Sequence, residues 1–115
     1  MTLFATLCTE ATPPDISTVD QADLISGTPE FRLWELECAG EGMSAGVWES
    51  TPGKWRFSNQ HWEYFHVRSG VSIVTEAGGQ ARTVRAGDSV ILRAGFQGTW
   101  EVVETTRKEY VVRES

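Results

Sequence analysis

Val71-Ser72-Ile73-Val74-Thr75, then Glu76-Ala77-Gly78-Gly79-Gln80, then Ala81-Arg82-Thr83-Val84-Arg85: this stretch decides the fold. Two short runs rich in β-branched residues flank a glycine pair. Glycine accepts the positive φ values that a tight hairpin needs, so Gly78-Gly79 reads as the turn between two antiparallel strands. Outward from this hairpin the same grammar repeats. Toward the C-terminus, Ser89 to Leu92, Thr99 to Glu104 and Glu109 to Arg113 read as strands. Toward the N-terminus, Trp62 to Arg68 precedes the hairpin, and Gly46 to Ser50 ends at Thr51-Pro52-Gly53, a turn signal. Earlier still, Phe31, Leu33 and Glu35 alternate with Arg32, Trp34 and Leu36. Strands thus recur about every 8–12 residues with turn residues between them, and no helical stripe interrupts them. The fold class is all-β, a closed barrel or sandwich.

With 115 residues and 40% apolar content the chain suits one core. Residues 1–28 carry Pro13, Pro14 and Gly27 with no sustained period and read as an extended N-terminal arm; residues 29–115 form the barrel. Leu3, Phe4, Leu7 and Ile16 of the arm suit the sheet edge of a second copy, which favours a homodimer. No apolar run approaches the roughly 18 residues of a membrane helix, and the first fifteen residues lack a basic leader, so the expected location is cytoplasmic, away from membranes. Cys8 and Cys38 match no zinc or redox spacing; Cys38 is expected as a packed small apolar residue in a reducing compartment. The net charge of −6 is uneven. Residues 1–50 hold nine acids against Arg32 alone, whereas residues 51–115 hold nine bases and seven acids. An acidic surface repels phosphate backbones, so nucleic acid is not an expected partner.

Two stretches carry more than periodicity. Gly53-Lys54-Trp55-Arg56-Phe57-Ser58-Asn59-Gln60-His61-Trp62-Glu63 runs on to Gly70, and Ala86-Gly87-Asp88-Ser89-Val90-Ile91-Leu92-Arg93-Ala94-Gly95 runs on to Trp100. Together they resemble the two motifs of the cupin superfamily, small jelly-roll barrels. Glu63 and Gly70 have the spacing of the first motif's glutamate and closing glycine. Gly87-Asp88 and Gly95 fit the second, with Arg93 in its proline position. Gly46 to Trp55, Gly95 to Trp100 and Arg107-Lys108-Glu109-Tyr110 are similar, more narrowly, to the short single-domain cupins grouped with (S)-ureidoglycine aminohydrolase and the ethanolamine-utilisation cupins. The resemblance covers about residues 28–113.

The resemblance implies a metal site of three imidazoles and a carboxylate inside the barrel, a donor mix suited to Mn, Fe, Ni or Zn. This sequence departs from it. The paired histidine positions fall on Phe57 and Asn59, or on Arg56 and Ser58 with a longer spacer, and the last falls on Gly98. Only Glu63 remains. His61, two residues before Glu63, shares its face on a regular strand, so the two form a reduced candidate metal pair. His66 has the opposite parity and faces away.

A carboxylate inside a narrow barrel needs a partner. Lys54, Arg56, Lys108 and protonated His61 are the cations available to Glu63. Glu63, His61 and Lys108 are the candidate catalytic residues, and a buried Glu63–Lys108 ion pair is the structural alternative. Trp48, Trp55, Phe57, Asn59, Gly98, Trp100 and Tyr110 are expected to line a pocket. Two functions follow: a module that binds a small polar metabolite in a barrel with a degenerate or absent metal site, or an enzyme resembling ureidoglycine aminohydrolase. The second would act on a small nitrogen compound through Glu63 and a weakly held divalent metal.

Overall fold

A computed structural model describes residues 2–114 and contains strands and turns but no helix among them. Nine strands follow one another: β1 (Asp15–Thr18), β2 (Leu24–Gly27), β3 (Glu30–Gly40), β4 (Met43–Ser50), β5 (Gly53–Asn59), β6 (Trp62–Glu76), β7 (Ala81–Arg85), β8 (Ser89–Leu92) and β9 (Phe96–Arg113). Every pairing is antiparallel.

The long strands β6 and β9 pair along almost their whole length and organise everything else. Their register shifts between Val67 and Ser72, where Gly70 takes φ 90° and lies so close to the Thr105 carbonyl that a Cβ would be 2.1 Å from it. Bulges of this kind bend a strand, so each long strand passes from one layer to the other. The first layer holds β1, β3, β4, the C-terminal half of β9, the N-terminal half of β6 and β8. The second holds β2, β5, the other halves of β9 and β6, and β7. This is an all-β jelly roll with two layers closed at the β6–β9 bend and open where β7 and β8 each pair only with β6.

Strand parity sorts the side chains. Phe65 and Val67 of β6, Trp100, Val102 and Tyr110 of β9, Trp55 of β5, Val84 of β7 and Leu92 of β8 form the core. Trp34 points outward and is nevertheless buried. The lead segment crosses it, Thr12 accepting its indole N–H at 3.0 Å, and the Arg107 guanidinium lies 5.0 Å from the ring centroid. Residues 15–18 and 24–27 of that segment pair with β3 and β5, while Leu3 and Phe4 are exposed.

Two sequence expectations need correction. Each of β6 and β9 is one continuous strand rather than two, because the bend is made by bulges that keep the pairing alive. Cys38 is exposed near the end of β3, its thiol donating to Glu35 Oε1 at 3.1 Å. That hydrogen bond, more than anything else, pushes its pKa up.

Candidate functional site

β5, β6, β4 and β9 bring the expected site residues to the barrel centre. Parity turns Asn59 and Glu63 inward, and both are buried. Lys108, opposite Val67 on β9, extends its Nζ to 2.8 Å from Glu63 Oε2. The other carboxylate oxygen accepts Asn59 Nδ2 at 3.2 Å. The ammonium also lies 4.4 Å from the centroid of Phe65, 4.7 Å from Trp100 and 4.9 Å from Trp48. Aromatic faces are electron-rich, so three rings and one carboxylate make a complete coordination shell for an organic cation. The side chains of Lys108 and Glu63 are only 9% and 11% exposed, against 21–56% for the other ion pairs of the described residues.

The surrounding rings pack on one another. Trp48 meets Trp100 at 5.5 Å between centroids and Trp55 at 6.3 Å; Phe57 meets Phe96 at 5.1 Å and Trp100 at 5.8 Å. Trp100 donates its indole N–H to Ser72 Oγ, which shares a 2.7 Å hydrogen bond with Thr106. These three buried polar side chains are thereby satisfied. Sequence reasoning passed over Ser72 and Thr106, although Ser72 shares the inward parity of Val74.

Two cavities lie elsewhere. One, of about 690 Å³, opens between β7 and β8, with Val74, Val84, Leu92 and Phe96 in its wall and Arg82 and Arg93 also bordering it. The other, of about 570 Å³, involves Arg56, Phe57 and Gly98 beside the β6–β7 hairpin. Of the expected pocket-lining residues only Phe57 and Gly98 border either cavity; Trp48, Trp55, Asn59, Trp100 and Tyr110 border neither.

His61 does not share a strand face with Glu63. It sits in the turn before β6, because Asn59 Oδ1 accepts the His61 backbone N–H at 2.9 Å and closes an Asx turn. Its Nδ1 is buried without a hydrogen-bond partner, and the imidazole makes no bond to Glu63. His66 faces outward onto Ser89 Oγ at 2.9 Å.

The donors present do not fit a transition metal. Phe57 and Gly98 supply none, Asn59 is bonded to Glu63, and both Glu63 oxygens are engaged, one by a cation that would repel a second. Among the described residues no three His, Cys, Asp or Glu side chains are grouped to hold an ion.

Burial pushes the Tyr110 hydroxyl up to about 12, with the Glu35 and Glu63 carboxylates and Cys38 adding to the rise. Its ordinary value is about 10. The folded protein therefore holds this proton more tightly than the unfolded chain. The associated stability, about 2 kcal/mol, is complete below pH ~10 and is lost as pH rises through ~12. In a Tyr64→Phe variant, leaving one phenol, phenolate absorbance should appear near pH ~12 while the fold holds, and near pH ~10 in the urea-unfolded chain. Ionisation near pH 10 with the fold intact would contradict this.

The comparisons agree with the architecture. A protein of unknown function from Pseudomonas syringae pv. tomato, of the DUF861 family, superposes with a TM-score of 0.80 at 28% identity over 92% of this chain. This chain spans 46% of that protein's length. The Clostridium difficile EutQ protein superposes at 0.68, with 15% identity over 84% of this chain and 79% of its own. A putative ethanolamine utilization protein Q from Salmonella typhimurium does so at 0.66, with 18% identity over 89% and 97%. At those identities these two show the fold. No curated protein matches the sequence. No helix of the described residues is long and apolar enough to cross a membrane. The profile of the EutQ-like cupin domain matches residues 38–110, from the end of β3 to the inward-facing Tyr110 of β9. The chain belongs to the family of EutQ-like cupin domains.

Proposed function

We propose that the protein is a metal-independent cupin that binds a small polar metabolite, with the Lys108 ammonium supplying the positive charge that a metal supplies elsewhere in the superfamily. The observation that carries this reading is the buried Lys108–Glu63 pair inside its aromatic cage. It satisfies the carboxylate from within the chain and leaves the barrel centre packed. Ligand binding then falls to the cavity of about 690 Å³ at the open β7–β8 edge, which offers an apolar wall together with polar groups. An enzyme acting through Glu63 has less support. Both carboxylate oxygens are already bonded, and a general acid or base must come within hydrogen-bond reach of its substrate.

A screen of small polar compounds of every charge type by amide chemical-shift perturbation tests the proposal. Binders should shift amides of β7, β8 and the turn after β8, without added metal, and lose affinity in Ala94→Trp, which adds bulk on the cavity wall. Binding that requires added Mn, Fe, Ni or Zn, or a complete absence of binders, would overturn it.

A further inference from the structure

Arg82 occupies an unusual place. Val84 of β7 is in the core, and Arg82, two residues earlier on the same strand, shares its inward parity. Its cross-strand partner Val74 is also a core residue. Arg93 follows Leu92, the last residue of β8, in the opposite layer. Both arginines border the cavity of about 690 Å³, one from each layer. Among the described residues neither guanidinium makes a hydrogen bond or an ion pair, whereas Arg32, Arg68 and Arg107 each pair with a glutamate. The acids on the same cavity form no ion pair with them. Asp88 Oδ2 takes the Arg85 backbone N–H within its own turn. Glu76 lies two residues beyond Val74, the cross-strand partner of Arg82, and borders the same cavity, but no ion pair joins it to Arg82. The same cavity also has apolar wall residues, Val84, Leu92 and Phe96 among them.

Both arginines are exposed at the cavity rim, and a charge on an edge strand also discourages edge-to-edge aggregation, which would account for Arg82 on β7 by itself. It does not account for a second unpaired arginine reaching the same cavity from the other layer. A guanidinium is a planar fork that matches a carboxylate. From this arrangement we infer that the ligand is a small amphipathic carboxylate, its anionic end held between Arg82 and Arg93 and its apolar part against Val84, Leu92 and Phe96. The inference rests on the small-molecule reading above and adds the charge and polarity of the ligand.

Three probes of similar shape test it on the intact protein by amide shift titration: phenylacetate, its neutral amide phenylacetamide and the cation phenethylamine. Phenylacetate should shift residues around Arg82–Val84 and Ile91–Phe96, and bind roughly tenfold more tightly than the amide, the cation being weakest. Arg82→Met and Arg93→Met should each weaken phenylacetate roughly tenfold and leave phenylacetamide unchanged. Equal or better binding of the amide or the cation in this cavity, or indifference to both substitutions, would overturn the carboxylate assignment while leaving the small-molecule reading intact. Shifts confined to another region would also overturn the assignment. Failure of all three probes, together with failure of the wider screen, would remove both.

Discussion

Lys108→Met lowers stability by roughly 3–5 kcal/mol, the usual cost of removing one partner from a buried ion pair. For a chain of this size that is on the order of a 10–20 °C fall in Tm. The methionine fills the space of the lysine stem but lacks the ammonium that faces Trp48, Phe65 and Trp100, so the loss comes from charge rather than from packing. Glu63 is left with Asn59 as its one described hydrogen-bond partner and little access to water. The double variant Lys108→Met/Glu63→Gln should recover most of the loss, because replacing a buried pair with neutral groups of similar volume is often close to neutral. Urea denaturation of wild type, both single variants and the double variant closes the cycle. A double variant no more stable than Lys108→Met would mean that the lysine acts through something other than Glu63.

The second large effect comes from Gly98, where the superfamily motif has its last histidine. A Cβ built there would sit 2.0 Å from the Thr75 carbonyl oxygen and 3.0 Å from the Glu76 Cα. Both neighbours are backbone in the paired strand β6, so neither can rotate away. Gly98→Ala should cost about 3 kcal/mol or more, at the upper end of overpacking effects, seen as a lower urea midpoint with little change in slope. Gly98→His carries the same Cβ and should be at least as damaging. Restoring the motif histidine alone therefore does not restore a metal site: β6 and β9 approach too closely for any side chain at this position. A Gly98→His protein as stable as wild type, and binding Zn or Ni, would contradict this account of the close approach.

Particular residues show how much of this was legible. The hairpin strand 81–85 and the strand 89–92 were read with the bounds they have, since turn residues frame both. β5 was missed as a strand. Gly53-Lys54-Trp55-Arg56-Phe57-Ser58-Asn59 alternates apolar and polar, but its turn-prone ends and its place within a motif obscured the period. β1 and β2 carry little apolar alternation, and their pairing is imposed by β3 and β5. Trp100 was expected to line the interior, and Lys108 was one of four cations available to Glu63; the structure turns Trp100 inward and selects Lys108. What parity could not supply was the convergence of rings from β4, β6 and β9 on one ammonium, because that depends on the bend at Gly70. His61 was placed by extending a regular strand one residue too far, into a turn made by the Asn59 side chain. Arg82 was within reach of the same parity argument, since it alternates with Val84, and only its unpaired state needed the structure.

The central claim is that Lys108 stands where a metal would otherwise provide charge. Elemental analysis by plasma mass spectrometry, on untagged protein purified without chelator, addresses it most directly. The account predicts far less than one equivalent of Mn, Fe, Ni or Zn, before and after soaking with each metal, for wild type and His61→Ala alike. Near-stoichiometric metal in wild type, lost in His61→Ala or Glu63→Gln, would contradict it and return the barrel to the metal-dependent cupins.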